Sequence, residues 1–299
     1  MSLSRVDSGP SRRRIPKIRW NLFLIGVIIG QRGYGFTRIF KIGCMSSDEI
    51  YTKENVPLFE AVYGPGLISL GGIAAVDQMF QGFALRDKHL LDIGFGIGGM
   101  AHYLAEKGAF VTGVEVHAWM TEYAISKAPE KLKNRLRFLT YAPDGTIPLH
   151  ASSIDLVYSK GVLTNVSDKK SLFTEIARVL KPGGQICFVD WLVPENDGPS
   201  SHRLRLGDMS YKETRSTYET LLHSCGIHSL EFLDWTASYL GYARDLGKKL
   251  SSQDHRDAYQ KIIDSSLRNE ILKANEDLIA SMESGSQISM RIVGTKESS

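Results

Sequence analysis

The sequence predicts a doubly wound α/β fold whose mostly parallel, seven-stranded sheet has helices on both faces and an antiparallel last strand. Three observations predict it. Apolar, strand-like runs alternate five times with helical segments between residues 89 and 193. A glycine-rich turn joins the first run to its helix. Near the end of the chain, residues 286–295 alternate apolar and polar side chains, which is typical of a strand.

Apolar runs bounded by turn residues give the strands, and segments with helical periodicity that end at glycine or proline give the helices. Lys181-Pro182-Gly183-Gly184 is interpreted as a structural turn between a helix and a strand. The first two helices precede the sheet and are expected to form a lid over its ligand-binding edge. Strands are predicted at about 90–93, 109–114, 136–141, 154–159, 185–193, 228–235 and 286–295, and helices at 48–63, 73–83, 99–108, 117–127, 169–180, 211–224 and within 236–282.

The glycine turn and the acid that follows it predict a nucleotide-type ligand. Gly94, Gly96, Gly98 and Gly99 allow backbone with φ > 0 and a close approach to the main chain, and the next helix offers unpaired N–H groups at its N-terminus. Glu115 ends the second strand, 16 residues after Gly99, where a carboxylate can accept both hydroxyls of a ribose. These residues alone leave the identity of the nucleotide open.

Composition and charge narrow the function classes. Of 299 residues, 42% are apolar, which is ordinary for a globular protein. The net charge of +3 comes from residues 1–44, which carry +8 and leave −5 on the rest, so charge does not support nucleic-acid binding by the folded part. Three scattered cysteines predict neither a disulfide framework nor a metal site, and they favour a reducing, cytoplasmic location.

Residues 1–44 form a basic extension ahead of a domain predicted at 45–299. Its apolar run, 20–29, is shorter than the ~20 residues of a membrane span, so no stable membrane insertion is expected. The run of arginines at 12–14 resembles a targeting signal, but no small-x-small cleavage site follows and residues 45–48 resemble a protein start. The extension is therefore interpreted first as non-native or dispensable, with a targeting segment and a functional anchor as the alternatives. Segments 194–210 and 236–285 are expected to be lid or insert elements of the domain.

Three motifs in order resemble those of class I S-adenosylmethionine-dependent methyltransferases. They are residues 91–99 (Leu-Asp-Ile-Gly-Phe-Gly-Ile-Gly-Gly), 154–158 (Ile-Asp-Leu-Val-Tyr) and 178–184 (Arg-Val-Leu-Lys-Pro-Gly-Gly). The nearest branch is that of the phosphoethanolamine N-methyltransferases, in which a tyrosine lies about 17 residues ahead of an Ile-Ser-x-Gly-Gly loop. Tyr51 precedes Ile68 by that interval.

The resemblance implies S-adenosylmethionine as the methyl donor, S-adenosylhomocysteine as the product, and a small-molecule acceptor bound by a monomer or dimer. It implies that Tyr51 and Asn165 act in catalysis and that Asn165 and Trp191 contact the acceptor. Asp92 and Gly94 would hold the methionine end of the donor, and Glu115 with Val116 would hold the ribose and adenine. The full set implied for the donor site is Tyr51, Ile68, Ser69, Asp92, Gly94, Gly96, Glu115, Val116, Ala142 and Lys160.

The chain also departs from that branch. Gly161 and Asn165 stand where the branch has an aspartate and a histidine, while Trp191 and Ser210 replace tyrosines. Phosphoethanolamine is therefore not predicted as the acceptor, and catalysis is expected to rest on positioning and desolvation.

Structural interpretations compete for single residues. Tyr51 fits a core position on an amphipathic helix, Asn165 fits a helix cap, and Trp191 fits packing at a strand end. His117 is interpreted as an exposed residue at a helix start. The loop residues His202, Arg203 and Arg205 are interpreted as a solvated segment or, less favoured, as an anion site.

The leading hypothesis is in-line methyl transfer to a small molecule, at a nitrogen. A nicotinamide-dependent oxidoreductase shares the glycine turn and the acid, but two helices ahead of the sheet and an antiparallel last strand disfavour it. A non-catalytic binding protein with the methyltransferase fold is the third hypothesis, and Gly161 and Asn165 motivate it.

Overall fold

The computed structural model describes residues 51–142, 145–198 and 211–298. The predictions for the extension 1–44 and for His202, Arg203, Arg205 and Ser210 lie outside these ranges. Among the described residues, no helix has the length and apolar character needed to cross a bilayer.

Seven strands form one sheet in the order β3-β2-β1-β4-β5-β7-β6. β7 runs antiparallel to β5 and β6, and the neighbouring strands from β3 to β5 are parallel, so the predicted fold class is confirmed. The strands are β1 (His89–Ile93), β2 (Phe110–Glu115), β3 (Leu136–Thr140), β4 (Ile154–Lys160), β5 (Leu180–Leu192), β6 (Ile227–Asp234) and β7 (Ile288–Lys296).

The helices follow the predicted order, with local differences at their ends. The helix predicted at 48–63 is split: a 3-10 turn covers Lys53–Asn55 and the α-helix starts at Val56, with Pro57 in its first turn, where proline is tolerated. The α-helices are α1 (Val56–Tyr63), α2 (Gly72–Met79), α3 (Gly99–Glu106), α4 (Ala118–Lys127), α5 (Lys169–Val179), α6 (Arg215–His223), α7 (Thr236–Ser251), α8 (Gln253–Tyr259) and α9 (Ser265–Glu283).

The interpretation of residues 181–184 as a turn that separates a helix from a strand is wrong. The strand β5 already begins at Leu180 and includes these residues. They form an irregularity in its pairing with β4, where Ile154 pairs with Leu180 but Leu156 pairs with Gln185. Gly183, at φ 73°, provides the left-handed conformation that such a bulge requires.

The apolar core lies on both faces of the sheet. One cluster joins the strands to α1, α2, α7 and α9 and includes Met79, Trp191, Tyr239 and Leu278. The other joins the opposite face to α5 and α6. The lid helix α1 is tied to the C-terminal helices, since the Ala61 carbonyl lies 2.9 Å from Nε2 of His255 and the Val62 carbonyl accepts a hydrogen bond from Lys249 at 3.1 Å.

Candidate active site

A cleft opens at the carboxyl ends of β1, β2 and β4, beneath the segment 51–72. It encloses about 1230 Å³, open solvent at its mouth included, which is ample for a small-molecule ligand. Ligands of open α/β sheets bind at this edge. The wall of the cleft consists of Tyr51, Gly66, Leu67, Ile68, Ser69, Gly72, Val76, Ile93, Gly94, Phe95, Met100, Val114, Glu115, Val116, His117, Met120, Tyr141, Lys160, Gly161, Val162, Asn165, Val166 and Leu172.

The glycine turn lies in direct contact with the lid. Gly96 has φ 60°, and a Cβ at this position would meet Cδ1 of Ile68 at 2.5 Å. Gly99 donates a backbone hydrogen bond of 3.0 Å to the Gly66 carbonyl, and a Cβ at Gly99 would lie 2.2 Å from that oxygen. Only glycine fits at these two positions, so the turn and the lid loop are matched surfaces.

Glu115 is buried at the end of β2 and is held by backbone amides. Its Oε2 accepts from Gly96 N at 3.1 Å, and its Oε1 accepts from Val116 N at 2.7 Å. Burial raises the pKa of this carboxyl, while the amides and the charge of His117 act in the opposite direction. The carboxylate therefore faces the cleft in a fixed orientation.

Asp92, on β1 directly below the glycine turn, is a buried carboxyl whose oxygens lack hydrogen-bond partners among the described residues. Burial raises the pKa of Asp92 to about 8. The neighbouring Tyr158 hydroxyl lowers this pKa and the charge of Glu115 raises it. The Tyr158 hydroxyl and the Asp92 carboxyl form no hydrogen bond of normal geometry. A buried carboxyl in this state favours a cationic partner.

Tyr51 covers the cleft from the lid. Its carbonyl accepts a hydrogen bond of 2.8 Å from the Trp119 indole, and its ring centroid lies 5.9 Å from that of Phe59 and 5.8 Å from that of His117. Burial, together with the charge of Glu115, raises the pKa of Tyr51 to about 12. The phenol is therefore neutral at physiological pH and serves as a hydrogen-bond donor.

A smaller chamber of about 470 Å³, open space included, adjoins the cleft and shares part of its wall, including Tyr51, Ser69 and Lys160. Trp191 and Tyr239 meet there edge to face, with ring centroids 5.2 Å apart. The full lining is Tyr51, Ile68, Ser69, Leu70, Lys160, Gly161, Val189, Asp190, Trp191, Tyr239 and Ser289.

Two polar side chains, Lys160 and Asn165, line the cleft, and Lys160 also lines the smaller chamber. Lys160, the last residue of β4, donates to Ser69 Oγ at 2.8 Å and to the Leu70 carbonyl at 2.7 Å, and burial lowers its pKa to about 7. Asn165 ends a 3-10 turn at Leu163–Asn165, and its buried Oδ1 has no hydrogen-bond partner among the residues that the structure describes. Asn165 lines the cleft, and both side chains can therefore serve a ligand.

Most of the residues singled out from the sequence come together. Asp92 lies beneath the cleft floor, Gly96 lies under Ile68, and the exposed Ala142 follows β3 outside the cleft lining. Those that line the cleft are Tyr51, Ile68, Ser69, Gly94, Glu115, Val116, Lys160 and Asn165, while Trp191 lines the smaller chamber.

Sequence reasoning missed several lining residues. His117 is the N-cap of α4, as predicted, but it is half-buried and lines the cleft, so its interpretation as an exposed residue without a part in the site is wrong. Its place two residues after Glu115, at the carboxyl end of β2, was a usable signal. Tyr239 and Ser289 carry no motif and reach the chamber only through the packing of α7 and β7. Among the residues that the structure describes, no group of three or more His, Cys, Asp or Glu side chains is placed to hold a metal ion.

Known proteins match this chain in sequence and in fold. A family model described as a methyltransferase domain matches residues 91–188. The phosphoethanolamine N-methyltransferase of Triticum aestivum is 28% identical over 64% of this chain, and that of Plasmodium falciparum is 29% identical over 49%. The match covers 38% of the wheat protein and 56% of the Plasmodium protein, so the chain spans about half or less of these relatives.

A solved structure gives the same picture for the fold. The phosphoethanolamine N-methyltransferase 2 of Haemonchus contortus, in complex with phosphomonomethylethanolamine and S-adenosylhomocysteine, superposes with a TM-score of 0.75 at 18% identity and covers 85% of this chain and 61% of that one. In its sheet and in residues 91–188, the chain resembles the class I S-adenosylmethionine-dependent methyltransferases, near the phosphoethanolamine N-methyltransferase branch, as its motifs predict.

Proposed function

We propose that this chain is a methyltransferase that moves a methyl group from S-adenosylmethionine to a nitrogen of a small molecule bound in the smaller chamber. The relatives are named as N-methyltransferases of phosphoethanolamine, which is an amine. The cleft and the chamber provide two adjoining sites, one for a donor and one for an acceptor.

One observation carries the choice of donor: the buried carboxyl of Asp92 directly under the glycine turn. A dinucleotide would bring its pyrophosphate to this turn, where its negative charge gives the buried carboxyl no cationic partner and disfavours the ionised form further. A ligand with an ammonium group there pairs with Asp92 instead. The residues present therefore fit the methionine end of S-adenosylmethionine, and they disfavour the nicotinamide alternative.

The remaining contacts follow from the same geometry. Glu115, fixed by the Gly96 and Val116 amides, is oriented to accept the hydroxyls of a ribose. Gly94 has φ 73°, and a Cβ there would meet the Val162 side chain at 2.6 Å, so glycine keeps the turn packed against the loop after β4. Tyr51 and Ile68 cover the cleft and exclude water.

Catalysis in this proposal is positioning. S-adenosylmethionine, when bound, supplies a methyl group activated by the positive charge of its sulfonium. Trp191 and Tyr239 desolvate an acceptor in the chamber, Tyr51 lines both sites, and the free Oδ1 of Asn165 accepts a hydrogen bond from an N–H donor. Such alignment alone reaches effective molarities on the order of 10⁵ M.

Methyl transfer from isotope-labelled S-adenosylmethionine to a panel of amines, thiols and phenols tests the proposal. We expect label in one or more small amines. Label in thiols or phenols alone would contradict a nitrogen acceptor, and donor binding without turnover across the panel would favour the non-catalytic alternative.

Thermal unfolding with ligands provides an independent check of the donor. S-adenosylhomocysteine is expected to raise the midpoint by several degrees, because a ligand at 100 times its Kd stabilises the folded state by about 2.7 kcal/mol. A rise with NADH and none with S-adenosylhomocysteine would overturn the donor assignment.

A further inference from the structure

We propose that Nζ of Lys160 accepts the proton that the acceptor nitrogen gives up, which makes Lys160 the catalytic base of the reaction. This inference rests on the proposed methyltransferase function. The catalytic base then lies at the end of β4, because the amide of Asn165 does not accept a proton near neutral pH.

Lys160 lies where the two sites join. It is the last residue of β4 and lines both the donor cleft and the smaller chamber. Its Nζ lies 5.9 Å from the centroid of the Tyr239 ring, which forms the far wall of the chamber. A group that receives a proton from the acceptor must lie at this junction.

The hydrogen bonds of Nζ are the second argument. It donates one to Ser69 Oγ and one to the Leu70 carbonyl. A neutral amine has two N–H groups and one lone pair, so these two acceptors use both of its donors and leave the lone pair available. The charged form would have a third N–H, for which the described residues offer no oxygen or nitrogen acceptor, only the face of the Tyr239 ring at the outer limit of a cation–π contact.

The surrounding charges are the third argument. The titratable groups that share the chamber wall with Lys160 are Tyr51, Tyr239 and Asp190. Burial raises the pKa of both phenols, so they are neutral. Asp190 accepts hydrogen bonds from the Tyr218 hydroxyl at 2.5 Å and from Thr164 N at 3.2 Å, and it forms no ion pair with Lys160 in the described part of the chain.

Burial without a counter-charge favours the neutral amine, and it lowers the pKa of Lys160 to about 7. Other titratable groups fit the role less well. Tyr51, with a pKa of about 12, is already protonated, Glu115 is held by backbone amides, and His117 lines the cleft but not the chamber. Lys160 is the group at the junction that is poised to take a proton near neutral pH.

An acceptor that arrives as an ammonium first transfers one proton to the neutral Nζ, which becomes a cation. The freed nitrogen lone pair then forms a bond to the methyl carbon as the carbon–sulfur bond breaks, and the electrons of that bond remain on sulfur. Nζ returns its proton to solvent when the product leaves.

The proton affinity of Lys160 is measured directly by NMR of the free full chain carrying ¹³Cε-labelled lysine, with Lys160→Gln to assign its signal. We expect a titration midpoint near 7, well below the ~10.4 of ordinary lysines. A midpoint above 9 would overturn the inference, whatever the outcome of the acceptor panel.

Two substitutions then test the role. Lys160→Gln keeps a polar side chain and Lys160→Arg keeps a positive charge, but neither accepts a proton. With the best amine of the panel at pH 7.5, we expect both to lower kcat by about 10²-fold, and the loss to shrink as the pH approaches the pKa of the free amine. Lys88→Gln, an exposed lysine ahead of β1, is the matched control.

The outcomes separate the two proposals. Full activity of Lys160→Arg with loss in Lys160→Gln would mean that Lys160 anchors an anion of the acceptor, and would overturn its role as a base. An NMR midpoint near 7 in a protein that methylates nothing would refute the proposed function while leaving the assignment of the neutral amine in place.

Discussion

The donor cleft and the smaller chamber lie side by side, yet they are assembled in different ways. The donor side comes from one βαβ unit, in which Asp92, the glycine turn and Glu115 lie within 24 consecutive residues. The chamber combines the lid, β4, β5, α7 and β7, so that Tyr51 and Ser289 line the same space although most of the chain separates them in sequence. A local motif can thus specify the donor, whereas the acceptor depends on the tertiary packing of distant segments.

The largest expected effect concerns donor binding by Asp92, which lies on the donor side. Asp92→Asn should weaken S-adenosylhomocysteine binding by roughly 10²-fold, about 2–3 kcal/mol, because it removes the charged partner of the ligand's ammonium. Isothermal titration calorimetry measures this. The exposed Asp87→Asn, at φ 59°, is a matched control because asparagine tolerates that conformation.

The same substitution should stabilise the free protein. Because the pKa of Asp92 is about 8 in the folded protein and ~3.9 in the unfolded chain, this carboxyl destabilises the folded state at pH 7 to 8, and an asparagine, which does not ionise, should raise the free energy of unfolding. If Asp92→Asn were destabilising and left donor affinity intact, Asp92 would be structural and the distinction between the two sides would fail.

A second test concerns the contact between turn and lid. Gly96→Ala should reduce donor affinity by roughly 30-fold, about 2 kcal/mol, since its Cβ would meet Ile68 at 2.5 Å and displace the lid loop. Gly82→Ala is the control, because Gly82 has φ 90° but nothing within 4 Å of an added Cβ. Equal loss of donor affinity in the two variants would show that strain, not lid contact, is responsible.

The pH dependence sharpens the donor assignment. The folded-state pKa of Asp92, about 8, exceeds the ordinary ~3.9, so the free protein binds an extra proton and loses stability as pH rises between these values. A bound ammonium favours the carboxylate. Affinity for S-adenosylhomocysteine should therefore rise up to about tenfold per unit from pH 6 to 8, with release of about one proton.

Calorimetry in buffers of different ionisation enthalpy counts that proton. The Asp92→Asn variant should release none at this site. A pH-independent affinity in the unsubstituted protein would contradict the pairing of Asp92 with a cation.

The smallest effect concerns the chamber. Trp191→Phe removes part of the edge-to-face contact with Tyr239, and such contacts are worth about 0.5–1.5 kcal/mol. We expect KM for the acceptor to rise about fivefold and the Kd for S-adenosylhomocysteine to stay within a factor of two. A matching loss in donor affinity would mean that the two sites are not separable.

The sequence predicts the donor side of the molecule better than the acceptor chamber. The glycine turn, its acid and the alternation of strands and helices were predictable because they arise from local periodicity and from motifs with a backbone cause. The positions of Tyr239 and Ser289 were not, because α7 and β7 contribute them through packing that leaves no spacing in the sequence. The bulge in β5 was missed because proline and glycine at 182–184 indicate a turn equally well.

The insertion of β7 between β5 and β6 has a consequence for how the chain acquires its shape. Both neighbours leave the ribosome before β7, so β6 has no partner strand in the sheet until residues 288–296 emerge. The glycine-turn half of the sheet can pair early during synthesis, whereas Ser289 joins the chamber only at the end. A nascent chain that lacks this strand would expose two unpaired strand edges, which are a common origin of aggregation.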